Sequence, residues 1–480
     1  MRRLAVLLPL LPLYALASCE DSGGTSATFD AGPTPVFDAS DPPTDAAPAD
    51  VDAGTAPVTV NVTRGGAPAS GIVIVFGDAA GAVLGVETTD ASGVAARVVP
   101  AGSQVTAIMG SATAPRLFTV TDVEPGDLLR AVDPSPALED LNATVTVDGV
   151  PANAPEGNLQ ASAGGCASGI QPNLPLAFGL YSPCQVGGTF PLLVVARDSE
   201  SGEELGFTFK KGNSVLFGDG GVASSITVQP TSAWSTAKTS HVVNVTKSPA
   251  AGAGGVIFYN EMVGGVGTTS AQSFTADPGA GAQARTFTGH PGYADFVQTT
   301  AEVRDYPSEA AISAVSTRAP TPTANTSASV DLSTLLPLIT SATLNTATPA
   351  RPAVSWTASG SLAAADGSLV VIRWFQETAD PPISGTWSIV TSPTKTSVTF
   401  PALPASASSL APSASASFDQ PPLIVTVEAS FIADYTALRA ASATLNAPDA
   451  VFTSAPYGGI VPPLPAAGTL RATAWTRNND

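Results

Sequence analysis

Few side chains in this sequence are suited to nucleophilic, acid–base or metal chemistry. The 480 residues include three cysteines, Cys19, Cys166 and Cys184, and two histidines, His241 and His290. Sequence motifs for a hydrolase nucleophile elbow, a zinc-protease helix, a phosphate-binding loop and a dinucleotide site are missing. Two separate histidines do not make a His-rich zinc site, and we expect each to be a structural or surface residue. The sequence therefore predicts no catalytic residue, no metal ligand and no cofactor.

Cys19 ends a segment with the features of an export signal. Two arginines come first, an apolar stretch spans residues 4–16, and small residues precede the cysteine. The stretch is too short for a helix across a bilayer about 30 Å thick. The run Leu-Ala-Ser-Cys ending at Cys19 resembles the lipobox of bacterial lipoproteins. The resemblance implies that residues 1–18 are a lipoprotein signal peptide and that acyl chains on Cys19 hold the mature chain on a membrane. An ordinary cleaved signal with an incidental thiol is the alternative.

Cys166 and Cys184 are the remaining pair once Cys19 carries lipid. An exported protein lies in an oxidising compartment, so a disulfide is the leading interpretation. Closing this Gly-, Pro- and Ser-rich loop would contribute about 3 kcal/mol to stability. A metal site and a redox pair are the alternatives, and the wide spacing of the two thiols disfavours both.

Three tryptophans, Trp356, Trp374 and Trp387, are the possible binding residues of the C-terminal region. If they were exposed and coplanar, they would stack on sugar rings; if they were buried, they would fill the core of a β-sandwich. Their place in strand-like runs with polar neighbours favours the core. The binding interpretation stays open at this stage.

The charge balance argues against nucleic acid as a partner. Net charge is −19, and losing Arg2 and Arg3 with the signal segment would take it to −21. Neutralising phosphates requires clustered Lys and Arg, and no such cluster occurs in the sequence. The acidity instead supports solubility and keeps the body of the protein off anionic surfaces.

Residues 19–57 have the composition of a linker. They hold eight acidic side chains and no basic ones, and they are rich in Ala, Pro, Asp, Gly and Thr. Such a segment buries too little apolar surface to offset the entropy of ordering. We expect a disordered acidic tether that lifts the folded part off the membrane. An acidic binding tail is the alternative.

The rest of the chain predicts an all-β protein. Gly (44), Pro (43), Ala, Ser, Thr and Val dominate, and helical periodicity is almost absent. The segments GAPASGIVIV at 66–75 and TDASGVA at 89–95 resemble bacterial immunoglobulin-like and carboxypeptidase-regulatory-like β-sandwich modules. That resemblance covers residues 58–132 and implies a spacer or presentation module without an active site. Asp90 is more simply a turn-forming residue than a metal ligand.

Three further regions complete the predicted organisation. Residues 141–317 are expected to be a β-rich domain with the single disulfide, 318–330 a Pro/Thr-rich hinge, and 331–480 a C-terminal β-sandwich-like domain. Residues 144–152 weakly repeat residues 59–69. The predicted fold is thus a set of tandem immunoglobulin-like or β-sandwich modules after a disordered acidic linker.

These features predict a membrane-anchored, exported lipoprotein at the outer membrane or cell surface. Its expected role is that of a non-catalytic cell-envelope component that is structural, adhesive or presents other groups. The expected partners are the membrane, through Cys19, and a glycan or envelope protein. One alternative is a glycan- or protein-binding lipoprotein that uses the C-terminal module. The other is a hydrolase with two close carboxylates among Asp277, Asp295, Glu302 and Asp305.

Overall fold

The structure, a computed structural model, describes most of the chain after residue 55. The described residues all belong to one compact unit, Thr44–Asp480. They are residues 56–64, 67–133, 141–146, 150–151, 159–162, 168–171, 176–180, 189–198, 200–214, 226–228, 233–246, 253–264, 266–276, 282–304, 311–320, 324–377, 381–418, 422–440 and 464–475. The predicted signal peptide, Cys19 and nearly all of the predicted tether lie outside them, so those features stay predictions.

The first group of strands begins at Val58. Val58, Val60 and Val62 are 0%, 2% and 1% exposed, because alternate side chains of a strand point to one face, here the interior. We call this group the first module; its strands are β1 (Val58–Arg64), β2 (Ala67–Pro68), β3 (Val73–Gly77), β4 (Val83–Thr88), β5 (Val94–Arg97), β6 (Ser103–Gly110), β7 (Pro115–Val123) and β8 (Leu128–Asp133).

Two further groups follow along the chain. The second module comprises β9 (Leu141–Val145), β10 (Leu159–Ser162), β11 (Ser168–Gln171), β12 (Leu176–Leu180), β13 (Thr189–Arg197), β14 (Glu204–Ser214) and β15 (Ile226–Val228). The third module comprises β16 (Thr239–Thr246), β17 (Ala253–Val263), β18 (Val266–Ala276), β19 (Gln283–Gly289), β20 (Phe296–Arg304), β21 (Ala311–Pro320) and β22 (Thr326–Asp331).

The fourth module holds the remaining strands and the helix. Its strands are β23 (Ile339–Asn345), β24 (Ala353–Ala358), β25 (Gly367–Gln376), β26 (Ile383–Thr391), β27 (Ser397–Thr399), β28 (Leu423–Ala429) and β29 (Thr469–Trp475). The helix α1 spans Tyr435–Ala440, and two short 3-10 helices span Leu332–Thr334 and Ala405–Leu410. Among the described residues, none of the helices has both the length and the hydropathy to cross a membrane.

The first three modules share one topology. In each, the first strand pairs in parallel with the last, as β1 with β8, β9 with β15 and β16 with β22. On its other edge, each first strand pairs antiparallel with β5, β12 or β19, respectively. The second sheet has the equivalent orders β4-β3-β6-β7, β11-β10-β13-β14 and β18-β17-β20-β21. Parallel neighbours need a long crossover, and the intervening strands of each module supply it.

The fourth module is antiparallel throughout, with sheets of order β23-β24-β27 and β29-β28-β25-β26. The prediction of an all-β fold built from β-sandwich modules is therefore confirmed. The weak sequence repeat begins on equivalent first strands, β1 and β9. Part of the predicted hinge at 318–330 is strand: residues 318–320 end β21 and residues 326–330 belong to β22, where Val330 is buried in the core of the third module.

Sheets from three modules join edge to edge into one sheet of twelve strands, in the order β18-β17-β20-β21-β29-β28-β25-β26-β7-β6-β3-β4. Strand β21 pairs antiparallel with β29, and β26 pairs in parallel with β7. The fourth module thereby occupies both the edge of the first module and the edge of the third. Each pairing satisfies backbone groups that an isolated module would leave open.

The hydrophobic cores follow the same grouping. One core combines buried residues of the first module, such as Phe76 and Phe118, with residues of the fourth, such as Leu369 and Leu438. A separate core fills the third module around Tyr259 and Phe287. A small cluster then links the second module to the third.

Candidate functional site

Three buried ionisable residues lie in contact where the second and third modules meet. Their centre is His290, which opens the turn His-Pro-Gly-Tyr after strand β19. The turn closes with the Tyr293 N–H donating to the His290 carbonyl at 3.0 Å. Proline at the second position and Gly292 at φ +84° in the third fit a type II turn, which places a residue with positive φ there.

Two carboxylates hold the imidazole of His290. Its Nε2 lies 3.0 Å from Glu204 Oε1, and its Nδ1 contacts Glu261 Oε2. The backbone N–H of His290 also donates to Glu261 Oε1 at 2.7 Å. Glu204 comes from β14 of the second module and Glu261 from β17 of the third. All three residues are less than 9% exposed, so one buried side chain bridges two modules.

This geometry requires a protonated imidazole. A neutral histidine ring has one N–H donor, whereas both ring nitrogens of His290 face carboxylate oxygens. Burial by itself would lower the pKa of His290, but the hydrogen bonds and charges of Glu204 and Glu261 outweigh it and raise the pKa to about 9. His290 is therefore a cation at neutral pH, in a triad with two anions.

Apolar packing encloses the triad. Phe207 meets the His290 ring edge-on, with 4.8 Å between centroids. Phe207 and Tyr293 belong to the cluster that links the second and third modules. At the rim, Lys211 Nζ contacts Asp295 Oδ1 at 2.9 Å, and this ion pair again joins the two modules. The joint is thus an apolar patch with a buried charged bridge inside it.

The arrangement is suited to holding modules together and unsuited to proton transfer. A general base needs a free lone pair within reach of a substrate, and both nitrogens of His290 are already engaged. No group of three or more His, Cys, Asp and Glu side chains is placed to hold a metal ion within the described part of the chain. The structure therefore supports the structural interpretation of His290, although the residue is buried rather than at the surface.

His241 has the opposite electrostatics. It lies on β16, is 3% exposed and packs its ring 5.0 Å from that of Tyr259. Its Nδ1 contacts Thr326 Oγ1 at 2.7 Å, and among the described residues no carboxylate pairs with its ring. Burial lowers the pKa of His241, so this ring is neutral. It too is a structural residue in the interior of the third module.

The carboxylates considered for a hydrolase have basic partners where the structure describes them. Glu302 is fully buried and pairs with Arg304. Burial acts to raise the pKa of Asp295, but hydrogen bonds from Lys211 and the Gly264 N–H lower it overall. The other two candidates, Asp277 and Asp305, lie outside the described residues.

The three tryptophans lie in the interior. Trp356, Trp374 and Trp387 are 4%, 2% and 0% exposed, which favours the core interpretation over stacking on sugars. Trp374 covers Gly385, where a Cβ would lie 2.0 Å from the indole ring. Trp387 packs edge-on against Phe400 at 5.0 Å between centroids.

Trp387 also links two modules. Its indole N–H donates to Thr119 Oγ1 of β7 at 2.9 Å. That oxygen lies 2.8 Å from Thr106 Oγ1, so the chain of buried hydrogen bonds continues into the first module. The bond runs alongside the parallel pairing of β26 with β7.

A second charged cluster closes the junction of the first and fourth modules. The Tyr435 hydroxyl donates to the Thr121 carbonyl at 2.8 Å. Arg439 of α1 contacts Asp127 at 3.1 Å and also donates to the Asp122 carbonyl. Lys395 reaches the Asp122 carboxylate at 2.7 Å. These contacts brace Asp122, a non-glycine residue with φ +54°, at the end of β7.

The sequence alone does not reveal the two carboxylate partners of His290. Glu204 and Glu261 lie 86 and 29 positions from His290, and no local pattern marks them. The one local signal was the turn that presents His290. The predicted lipidation site Cys19 and the predicted disulfide Cys166–Cys184 lie outside the described residues and stay predictions.

Comparisons with known proteins add little to this picture. No protein-family model and no curated protein matches the chain. Among solved structures, the TIE protein of Bacillus anthracis aligns over 57% of this chain and 50% of its own, with 12% identity and a TM-score of 0.16. The shaft pilin SpaA of Lactobacillus rhamnosus GG aligns over 37% of this chain and 98% of its own, with 10% identity and a TM-score of 0.14.

The fibronectin domains FN1–FN3 of chicken CNTN1 align over 61% of this chain and 93% of their own, with 9% identity and a TM-score of 0.12. This chain spans only half the length of the TIE protein. TM-scores and identities this low carry no argument about function, and the β-sandwich class rests on the strand pairing of the chain itself.

Proposed function

We propose that this protein is a non-catalytic structural component of the bacterial cell envelope, held at the membrane by acyl chains on Cys19. The observation that carries the proposal is the twelve-stranded sheet, in which strands of the first, third and fourth modules continue one another. A sheet of this kind makes a stiff body, because bending at a module boundary would break ladder hydrogen bonds.

The buried contacts between modules support the same role. The His290 bridge fixes the second module to the third, and the Tyr435 and Arg439 contacts fix the fourth to the first. Buried ionic groups of this kind cost desolvation and are tolerated where they fix one arrangement. In this protein they lie between modules, where a fixed arrangement is what a scaffold requires.

The resemblance of the run ending at Cys19 to a lipobox supports the anchor. Two or three acyl chains hold a protein on a bilayer, whereas a single chain does so only reversibly. Residues 19–57 would then separate the body from the membrane surface. The acidic net charge suits a body that stays clear of anionic lipids.

Labelling of growing cells with a radioactive fatty acid tests the anchor. We expect label in the wild-type protein and none in Cys19→Ala, which should persist as an uncut precursor. Cys166→Ala is the matched control and should keep the label. An unlabelled wild type, or equal label in Cys19→Ala, would show that the anchor is not a lipid on this sulfur.

Protease added to the same intact cells tests the location. At the cell surface, the enzyme should release the body and leave the labelled end with the membrane. A body that is cut only after the envelope has been opened would contradict a surface position.

A further inference from the structure

Among the described residues, the twelve-stranded sheet ends at β4 on one side and at β18 on the other, and neither strand pairs with a further strand on its outer edge. The outer backbone groups of an edge strand have no strand partner, which makes such an edge a template for pairing with another chain. Strand β4 also exposes two large apolar side chains, Leu84 and Val86, each 40% accessible. Stable monomers therefore require that both edge strands be protected against pairing with strands of other molecules.

At the first edge the protecting device is Arg97 of β5. Its Nη2 donates to the Leu84 carbonyl at 3.2 Å, and its Nη1 contacts Glu87 Oε1 at 2.8 Å. Gly85 makes room for it, since a Cβ there would lie 2.0 Å from Arg97 Cζ. The guanidinium thus lies across β4 and occupies a carbonyl that an added strand would use.

At the second edge the device is a set of three side-chain bonds between β18 and β19. Arg285 Nε donates to the Ser273 carbonyl at 2.7 Å. Gln272 Nε2 donates to the Thr286 carbonyl at 2.6 Å, and Gln283 donates to the Thr275 carbonyl. Two carbonyls of β18, two residues apart, are therefore already taken.

The two devices occupy equivalent places in the repeated topology. Strands β5 and β19 correspond in the first and third modules, as do β4 and β18. In the first module Arg97 of β5 donates to a carbonyl of β4, and in the third module Arg285 of β19 donates to a carbonyl of β18. At the opposite edges of the same two sheets, strands have been added: β26 of the fourth module pairs with β7, and β29 pairs with β21. Edge pairing is thus already how this chain joins its own modules.

We propose that β4 and β18 are complementary strand-addition surfaces for a second copy of this chain, and that Arg97 and Arg285 keep them closed. Pairing of β4 on one copy with β18 on the next continues the sheet across molecules. Such a contact is heterologous and leaves a free edge at each end, so it produces growing chains rather than closed dimers.

The test uses the full mature protein with both arginines replaced, Arg97→Ser with Arg285→Ser. Light scattering after size exclusion should give the mass of one chain for the wild type. The double variant should at least double that mass and grow further with concentration. Each single variant should stay monomeric, because one of the two complementary edges is still closed. Arg373→Ser is the control, since Arg373 is an exposed arginine on the interior strand β25.

A rescue variant separates edge pairing from misfolding. Adding Leu84→Lys to the double variant places a charge on β4 and should restore the monomer. Circular dichroism should show unchanged strand content in all variants. A monomeric double variant, association that persists with Leu84→Lys, or dimers of Arg97→Ser alone would each overturn the proposal. So would a wild-type protein that is already associated and becomes monomeric with Leu84→Lys.

Discussion

At the scale of single residues, the two histidines illustrate how environment decides a charge. His290 and His241 are both nearly fully buried, yet the first faces two carboxylates and the second faces a hydroxyl and a ring. The pKa of His290 is raised and that of His241 is lowered. The same side chain is thus a cation that bridges modules in one place and a neutral core residue in the other.

His290→Gln should remove a pH dependence of stability. The pKa of His290 is about 9 in the folded protein and about 6.5 when unfolded, so its contribution is complete below pH 6.5 and disappears as the pH rises through 9. The shift corresponds to a contribution on the order of 3 kcal/mol at low pH. Unfolding in denaturant at pH 6 and pH 9 measures it.

The variant should also lose about 3 to 5 kcal/mol at pH 6, because two buried carboxylates lose their cation. This exceeds the small loss that a surface histidine would give. His241→Gln is the control and should keep the wild-type slope above pH 6.5. A His290→Gln variant that retained the slope would contradict the bridge.

At the scale of elements, the structure depends on strands that serve two modules at once. Strand β26 is antiparallel to β25 within the fourth module and parallel to β7 of the first. Strand β29 lies between β28 of the fourth module and β21 of the third and is antiparallel to both. A substitution on either strand therefore acts on two sandwiches.

Trp387→Phe should cost about 1 kcal/mol more than Trp374→Phe. Both changes remove similar volume from a buried site, but only Trp387 donates a hydrogen bond, to Thr119. The indole N–H of Trp374 has no hydrogen-bond partner in the described part of the chain, so its loss leaves no other group there unpaired. Chemical denaturation of the two variants measures the difference. Equal losses would mean that the bond from β26 to β7 contributes nothing to stability.

At the scale of the whole molecule, the first and fourth modules share one hydrophobic core. Leu369 of β25 packs in the core that also contains Phe76 and Phe118. Ile257 lies in the separate core of the third module. A substitution in a core should therefore lower the stability of a neighbouring module only where that core includes residues of both modules.

Leu369→Ala should destabilise the first module as well as the fourth. The free energy of the opening that exposes their amides to exchange should fall by about 2 to 5 kcal/mol. Hydrogen exchange of the β6 and β7 amides measures the effect. Ile257→Ala is the matched control and should leave those amides largely as protected as in the wild type. Unchanged protection of β6 and β7 in Leu369→Ala would show that the modules open independently.

The sequence by itself determined the β class and many of the strands. Alternation at Val58, Val60 and Val62 and the continuous apolar run of β3 reflect local rules of side-chain direction, which need no knowledge of distant residues. The sequence runs around Trp374 and Trp387 also predict strands and favour the core interpretation of these tryptophans. Composition limited the chemistry, because few reactive side chains were present.

Only the tertiary structure decided which strands are neighbours. The pairing of β26 with β7 joins residues about 270 positions apart, as the bond from Trp387 to Thr119 illustrates, and no local signal encodes it. The same holds for His290, whose charge depends on Glu204 and Glu261 from two other strands. Strand pattern is set by each residue and its near neighbours, whereas edge pairing and buried charge are set by what the folded chain brings into contact.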